Sequence, residues 1–233
     1  MTAPAIRIDD LQHAWPGGPP ILDIPEFQLD AGESAFLAGP SGSGKSTLLG
    51  LIAGITPVQA GRVCVLGREM DPSKPALRDR IRADEIGMIF QLFNLVPYLS
   101  PIENVLLPLN FSAKRRKLIA ASGHSPTEEA RRILLALGLD DDLISRAAAR
   151  LSVGQQQRVA AARAIIGSPG VIVADEPTSA LDEDSRDTFL DLLSREARAN
   201  GAALLFVSHE RTLSSRFDRV LELESLNQLR QVA

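Results

Sequence analysis

Gly39-Pro40-Ser41-Gly42-Ser43-Gly44-Lys45-Ser46 is a complete G-x-x-x-x-G-K-S phosphate loop. It follows the apolar run Ala35-Phe36-Leu37-Ala38 and opens into Thr47-Leu48-Leu49-Gly50-Leu51-Ile52-Ala53, a stretch of helical character. That strand–loop–helix setting separates a nucleotide-binding loop from a glycine-rich turn with a chance lysine. In such a turn successive backbone N–H groups converge on an anion unobstructed, and the helix that follows aims the positive end of its dipole at the same point. Lys45 is expected to reach the β- and γ-phosphates, the Ser46 hydroxyl to ligate Mg2+, and the run Gly39 to Thr47 to cradle the phosphates. The stretch implies a nucleoside triphosphate site.

The bulk numbers are those of an ordinary globular chain. Of 233 residues, 45% are apolar and 23% charged, values that argue against disorder and for one domain with an elaboration. A net charge of −4 and a pI near 5.5 give no electrostatic case for a nucleic-acid partner. The lone Cys64 excludes an internal disulfide, fits a reducing compartment and reads as a small buried strand residue. Arg7, Asp9 and Asp10 break any apolar signal core, and the longest uncharged stretch, residues 86–102, is too short and polar to span a bilayer. These features predict a cytosolic polypeptide that meets a membrane only through a partner or a surface.

Short β-type runs at residues 5–9, 21–29, 34–38 and 62–66 suggest a small sheet beside the loop, and 86–90 reads as a further strand. From about Ser100 to Ile166 helical signals dominate. The clearest helix starts at Ser125-Pro126-Thr127-Glu128, a capping box with proline at the first helical position. Ala130, Ile133, Leu134 and Leu137 then share a face, and Gly138 can end the helix. Residues 171–174 and 203–207 are solid apolar runs, typical of strands covered on both faces. Between them 184–200 reads as a helix with Phe189, Leu192 and Leu193 inward and Asn200-Gly201 as its stop. Alternating strands and helices imply a parallel sheet. Lys114-Arg115-Arg116-Lys117 reads as a solvated surface turn in an insertion, with contact to anionic headgroups as the other reading.

The run Val171-Ile172-Val173-Ala174 ends in Asp175-Glu176. Asp175 is placed to hold Mg2+ and Glu176 to act as general base on the attacking water. Leu151-Ser152-Val153-Gly154-Gln155-Gln156-Gln157-Arg158 resembles the LSGGQ signature of the ATP-binding cassette (ABC) ATPases. Residues Asp175 to Asp182 look like their Walker B motif and D-loop, Ser208-His209-Glu210 resembles the switch histidine, and Gln91 matches the Q-loop. The motifs stand in family order over nearly the whole chain, from about Ile6 to Glu224.

That resemblance implies an α/β fold: a phosphate-loop NTPase (RecA-like) core with a small antiparallel β subdomain and an inserted helical signature subdomain. A single ABC ATPase domain would divide at 1–90, 91–166 and 167–233. It also implies head-to-tail pairs, each ATP held by one copy's phosphate loop and the other's signature. Ser152, Gly154 and Gln155 would then face a γ-phosphate across the interface, with Asp182 joining the two sites. His209 would sense the γ-phosphate and Gln91 the Mg2+ and attacking water. Trp15, 24 residues before Gly39, sits where the family stacks an aromatic on adenine; as the only Trp its other reading is a core residue. Val153 departs from the commoner glycine, and a β-branched residue resists positive φ.

The stretch Gln91 to Leu109 and the phrase LSVGQQQRVAAARA look like the branch serving lipoprotein release and macrolide export. There the ATPase is a separate subunit and a permease helix lies in a groove beside the Q-loop. Phe93, Leu95, Val96 and Tyr98 are expected either to contact that helix or to pack internally. Residues 112–125 form a longer segment than usual, and Ser225-Leu226-Asn227-Gln228 lacks the usual Asp-Gly turn. The expected partners are a second copy and an integral membrane permease, with no nucleic acid, and the expected place is the cytoplasmic face of the cell membrane. The alternatives are an ABC ATPase powering a cell-division or signalling complex, or an importer ATPase for amino acids.

Overall fold

A computed structural model describes residues 3–229. Residues 1–2 and 230–233, the two ends of the expected domain, lie outside the described residues. In chain order the elements are β1 (Ile6–Ala14), β2 (Pro20–Leu29), β3 (Ser34–Ala38), α1 (Lys45–Ile52), β4 (Ala60–Val65), β5 (Arg68–Glu69), α2 (Pro75–Glu85) and β6 (Ile86–Ile89). There follow α3 (Pro101–Leu106), α4 (Ala113–Ala121), α5 (Pro126–Ala136), α6 (Val153–Ile165), β7 (Val171–Asp175), α7 (Glu183–Ala199), β8 (Ala203–Val207), β9 (Arg219–Glu222) and α8 (Leu223–Leu226).

Two sheets carry the fold. β2-β1-β4-β5 is antiparallel, and β6-β7-β8-β3-β9 is parallel throughout. β1 alternates buried Ile6, Ile8, Leu11 and His13 with more exposed neighbours, the pattern of a sheet covered on one face. β3 and β8 are buried along their whole length, as a central parallel strand must be. Residues 34–38 therefore belong to the parallel sheet and not to the small sheet beside the loop. Cys64 is only half-buried, since Val63 and Val65 take the inward face of β4.

Register brings the site together. Leu37 of β3 and Asp175 of β7 both pair with Val207 of β8, so three parallel strands end at one level. Ligands of open parallel sheets bind at such carboxyl ends. The phosphate loop, the Asp175-Glu176 pair and the Ser208-His209 turn all leave from there.

The helical segment packs on the other side of this core, with α3, α5 and α6 in mutual contact. α5 has its expected cap: Ser125 Oγ accepts from Glu128 N and the Glu128 carboxylate accepts from Ser125 N at 2.7 Å. Gly87 lets α6 lie close on β6, because a Cβ there would collide with the Ala164 carbonyl. The basic cluster is not a surface turn. It lies in α4, capped by Ser112, and Arg115 is 2% exposed. Its guanidinium donates to the Ile86 carbonyl at 2.7 Å and the Ile166 carbonyl at 3.1 Å, tying α4 to the start of β6 and the end of α6. Lys114 pairs with Glu85, and Arg116 donates to the Leu109 carbonyl. Burial pulls the Arg115 pKa down to about 10, with Asp84 and Glu85 opposing the fall. Arg115 alone is internal; Lys114, Arg116 and Lys117 stay exposed on α4.

Candidate nucleotide site

The loop between β3 and α1 is shaped by its glycines. Gly44 caps α1 at φ 100°, a conformation that L side chains rarely adopt. A Cβ there would also stand 2.9 Å from Ile21 Cγ2 and 3.0 Å from Leu22 Cδ2. Lys45 is 7% exposed, and its ammonium donates to the Gly39 carbonyl at 2.7 Å and the Pro40 carbonyl at 2.8 Å. Ser43 Oγ is buried without a hydrogen-bond partner. A cation held only by neutral carbonyls and an unused buried hydroxyl fit a polyanion, whose oxygens are stronger acceptors.

Asp175 ends β7 beside this loop. Its carboxyl pKa is raised: burial disfavours the charge, the Ser46 hydroxyl opposes the rise, Glu176 adds to it and Lys45 opposes it. Ser46 and Asp175 are hard oxygen donors of the kind Mg2+ takes together with substrate phosphates. Glu176 follows at φ 44°, and its N–H donates to the Val207 carbonyl at 2.9 Å. Its Oε2 lies 2.7 Å from His209 Nδ1. A left-handed glutamate costs about 1 kcal/mol or more, and such strain collects at functional sites.

These groups share one cleft of about 770 Å³, lined by Trp15, Ile21, Ser41, Gly42, Gly44, Lys45, Ser46, Thr47, Gln91, Asp175, Glu176 and His209. Trp15 is 47% exposed and stands edge-on to His13 at 5.1 Å, so it is a rim residue and not a core one. Gly39, Pro40 and Ser43 belong to the loop but do not line the cleft. Ile21 went unnoticed in the sequence because nothing distinguishes it from any other β2 residue.

Raising a carboxyl pKa on folding makes the native state bind the proton more tightly than the unfolded chain. The stability contributed by protonated Asp175 is then lost as pH rises through the raised value, so at neutral pH its charge is a net cost. Asp175→Asn should therefore raise the melting temperature of the nucleotide-free protein. It should also abolish the extra stabilisation that Mg2+ adds to ATP. A melting point that falls, with the Mg2+ effect intact, would contradict this role.

Ser152, Gly154, Gln155 and Asp182 do not line the cleft. Ser152 is the N-cap of α6, accepting from Gln155 N at 3.3 Å, while Gln155 Oε1 accepts from Ser152 N at 2.9 Å. The Ser152 hydroxyl proton stays available to an outside acceptor. Asp182 caps α7, accepting from Ser185 N and Oγ, both at 2.9 Å, and these bonds lower its pKa. Val153 is the first residue of α6, 47% exposed, and is not among the residues at positive φ. The valine is therefore unstrained, and Val153→Gly should leave the ATPase rate unchanged or raise it. A tenfold drop in steady-state turnover would mean that the side chain itself is needed.

Beyond Gln91 the chain turns through Phe93 at φ 58° and Asn94 at φ 51°. Arg163 of α6 holds that turn, donating to both of their carbonyls at 2.6 Å; burial lowers its pKa. Phe93 and Leu95 pack inward against the core, and Val96 is half-buried with its backbone bonded to the Asn104 side chain. Tyr98 is 80% exposed, as is Leu92 at 83%. A separate groove of about 1030 Å³ runs beside this turn, lined by Ile55, Leu77, Met88, Phe90, Pro108 and Phe111 with Arg80, Arg82 and Arg163. Of the four expected contacts none lines it.

The family model described as "ABC transporter" matches residues 22–179. A lipoprotein-releasing system ATP-binding protein, LolD, of Xanthomonas oryzae pv. oryzae is 36% identical over 231 residues, 98% of this chain and 91% of that one. An uncharacterised ABC transporter ATP-binding protein, YbbA, of Escherichia coli is 40% identical over 203 residues, 87% of this chain and 86% of that one. Among solved structures, the dimeric bacterial ABC transporter cassette MJ0796 matches with a TM-score of 0.80 at 30% identity, over 94% of each chain. The same cassette in a post-hydrolysis state with ADP and Pi matches at a TM-score of 0.78 and 30% identity, over 93% of each chain. With a phosphate loop, an acidic strand end and a polar helix start in their expected order, the chain belongs to the ABC transporter family as an ATP-binding, ATP-hydrolysing cassette.

Proposed function

We propose that two copies of this chain close head to tail on two ATP molecules, with Mg2+, and drive a separate integral membrane permease of the lipoprotein-release or macrolide-export type. One observation carries the reading. The cleft gathers Lys45, Ser46, Asp175, Glu176 and His209, whereas Ser152 and Gly154 stand on an exposed helix start outside it. A helix N-terminus with a free hydroxyl is an anion site in search of an anion. A second copy, inverted, supplies one.

In this reading Lys45 and the loop N–H groups hold the β- and γ-phosphates, and Trp15 stacks on the base. Ser46, Asp175 and Gln91 hold Mg2+, which neutralises charge on the phosphates when bound. Glu176 orients the attacking water and accepts its proton, and His209 donates to the γ-phosphate. Their 2.7 Å contact uses Glu176 Oε2 and His209 Nδ1, which leaves Oε1 and Nε2 for these tasks. Ser152 and the Gly154 and Gln155 N–H groups close on the γ-phosphate from the other copy, and Asp182 links the two centres.

The permease reading is supported by the apolar groove beside Gln91, where Ile55 is 53%, Leu77 38% and Phe111 72% exposed. Exposed apolar patches of this kind receive partner helices. Lipoprotein-releasing relatives favour that class of partner. No helix among the described residues is long and apolar enough to cross a membrane. Isolation of the tagged protein from detergent-solubilised membranes should bring down a polytopic permease, released by Phe111→Asp. Recovery of soluble partners alone would overturn the assignment.

A further inference from the structure

We propose that Asn227, in the segment after α8, is a positioning residue for the base-side wall of the nucleotide cleft. The inference rests on reading that cleft as the ATP site. β2 is the outer strand of the antiparallel sheet: β1 takes one of its edges, and the C-terminal segment takes the other. Asn227 Oδ1 accepts from the Asp23 N–H at 2.7 Å, and Nδ2 donates to the Ile21 carbonyl at 2.8 Å. The next N–H, of Gln228, donates to the Asp23 carbonyl at 2.8 Å. One side-chain amide thus meets a donor and an acceptor on the strand as a neighbouring backbone would. Turned over, it would set like against like on both.

The residues so held face the nucleotide. Ile21 lines the cleft with Trp15, and its Cγ2 fills the space beside Gly44, at the end of the phosphate loop. Leu223, the first residue of α8 and 1% exposed, has its Cβ 3.4 Å from the point a Cβ on Gly39 would take. Asn227 N donates back to the Leu223 carbonyl at 2.8 Å. The chain from Leu223 to Gln228 therefore stands beside the loop at its first glycine and reaches its last through Ile21. Without the amide, water takes the edge groups and the strand end carrying Ile21 can drift from Gly44. The phosphate loop, held by β3 and α1, stays in place.

The test compares two ligands. Asn227→Ala should weaken ATP binding about fivefold, the effect of losing part of two hydrogen bonds, with turnover at saturating ATP unchanged. Inorganic tripolyphosphate with Mg2+, which reaches the phosphate loop but no base wall, should bind as before. Asn227→Asp keeps the acceptor but sets a carboxylate oxygen against the Ile21 carbonyl, so its ATP affinity should fall further than that of the alanine variant. The ratio of ATP to tripolyphosphate affinity is independent of how much protein is folded. An unchanged ratio in both variants overturns the proposal. Trp15→Ala, measured alongside, locates the fault. If it lowers the ratio while the Asn227 variants do not, only the positioning role falls. If it too leaves the ratio unchanged, the base does not bind there and the reading of the cleft falls with it.

Discussion

Glu176→Gln should bind ATP as tightly as the parent protein, hydrolyse it about a hundredfold to ten-thousandfold more slowly, and accumulate as an ATP-bound dimer. The amide has the shape of the carboxylate, so the backbone bond from residue 176 to the Val207 carbonyl is kept, and loss of the charge removes one of the causes that raise the Asp175 pKa. What it loses is a lone pair basic enough to take a proton from water. Because substrate binding and turnover are then separated, the closed state should persist and be seen as a shift in sedimentation on adding Mg2+ and ATP. Undiminished phosphate release would remove Glu176 from the role of base.

Lys45→Ala should cost more than a hundredfold in nucleotide affinity, the consequence of removing about 3 kcal/mol of buried charge-assisted bonding. The folded protein should tolerate the change, since the ammonium bonds only to the Gly39 and Pro40 carbonyls of its own loop. Titration with ATP, alongside a melting curve, checks both halves of the expectation. An affinity equal to the parent's would take the phosphate loop out of the mechanism.

What could be read from sequence was whatever is encoded locally. The phosphate loop, the acidic end of β7 and the Ser125 capping box are patterns within a few residues, and each declares its own conformation. α2 was missed because its helical pattern is faint: Pro75 opens it, but Ile81 is its only buried apolar residue. The run 34–38 could be recognised as a strand, yet no local signal says which sheet will take it. Arg115 misled for a related reason. A cluster of cations ordinarily stays in water, and its carbonyl partners at Ile86 and Ile166 lie 29 and 51 residues away. Asn227 is the extreme case, with partners 204 and 206 residues distant at the other end of the chain. Side-chain bonds to distant backbone leave no periodicity behind.

The same limit applies to the reaction centre. The family resemblance implies one mechanism for Ser152 and Glu176, yet Ser152 does not line the cleft that holds Glu176, so the proposal that they meet concerns a pair of chains. The most direct test is the ATPase rate per chain followed across a dilution series, with sedimentation on the same samples. Specific activity should rise with concentration, track the dimer fraction, and vanish where only monomer is left. A rate per chain that stays constant down to purely monomeric protein would contradict the shared site.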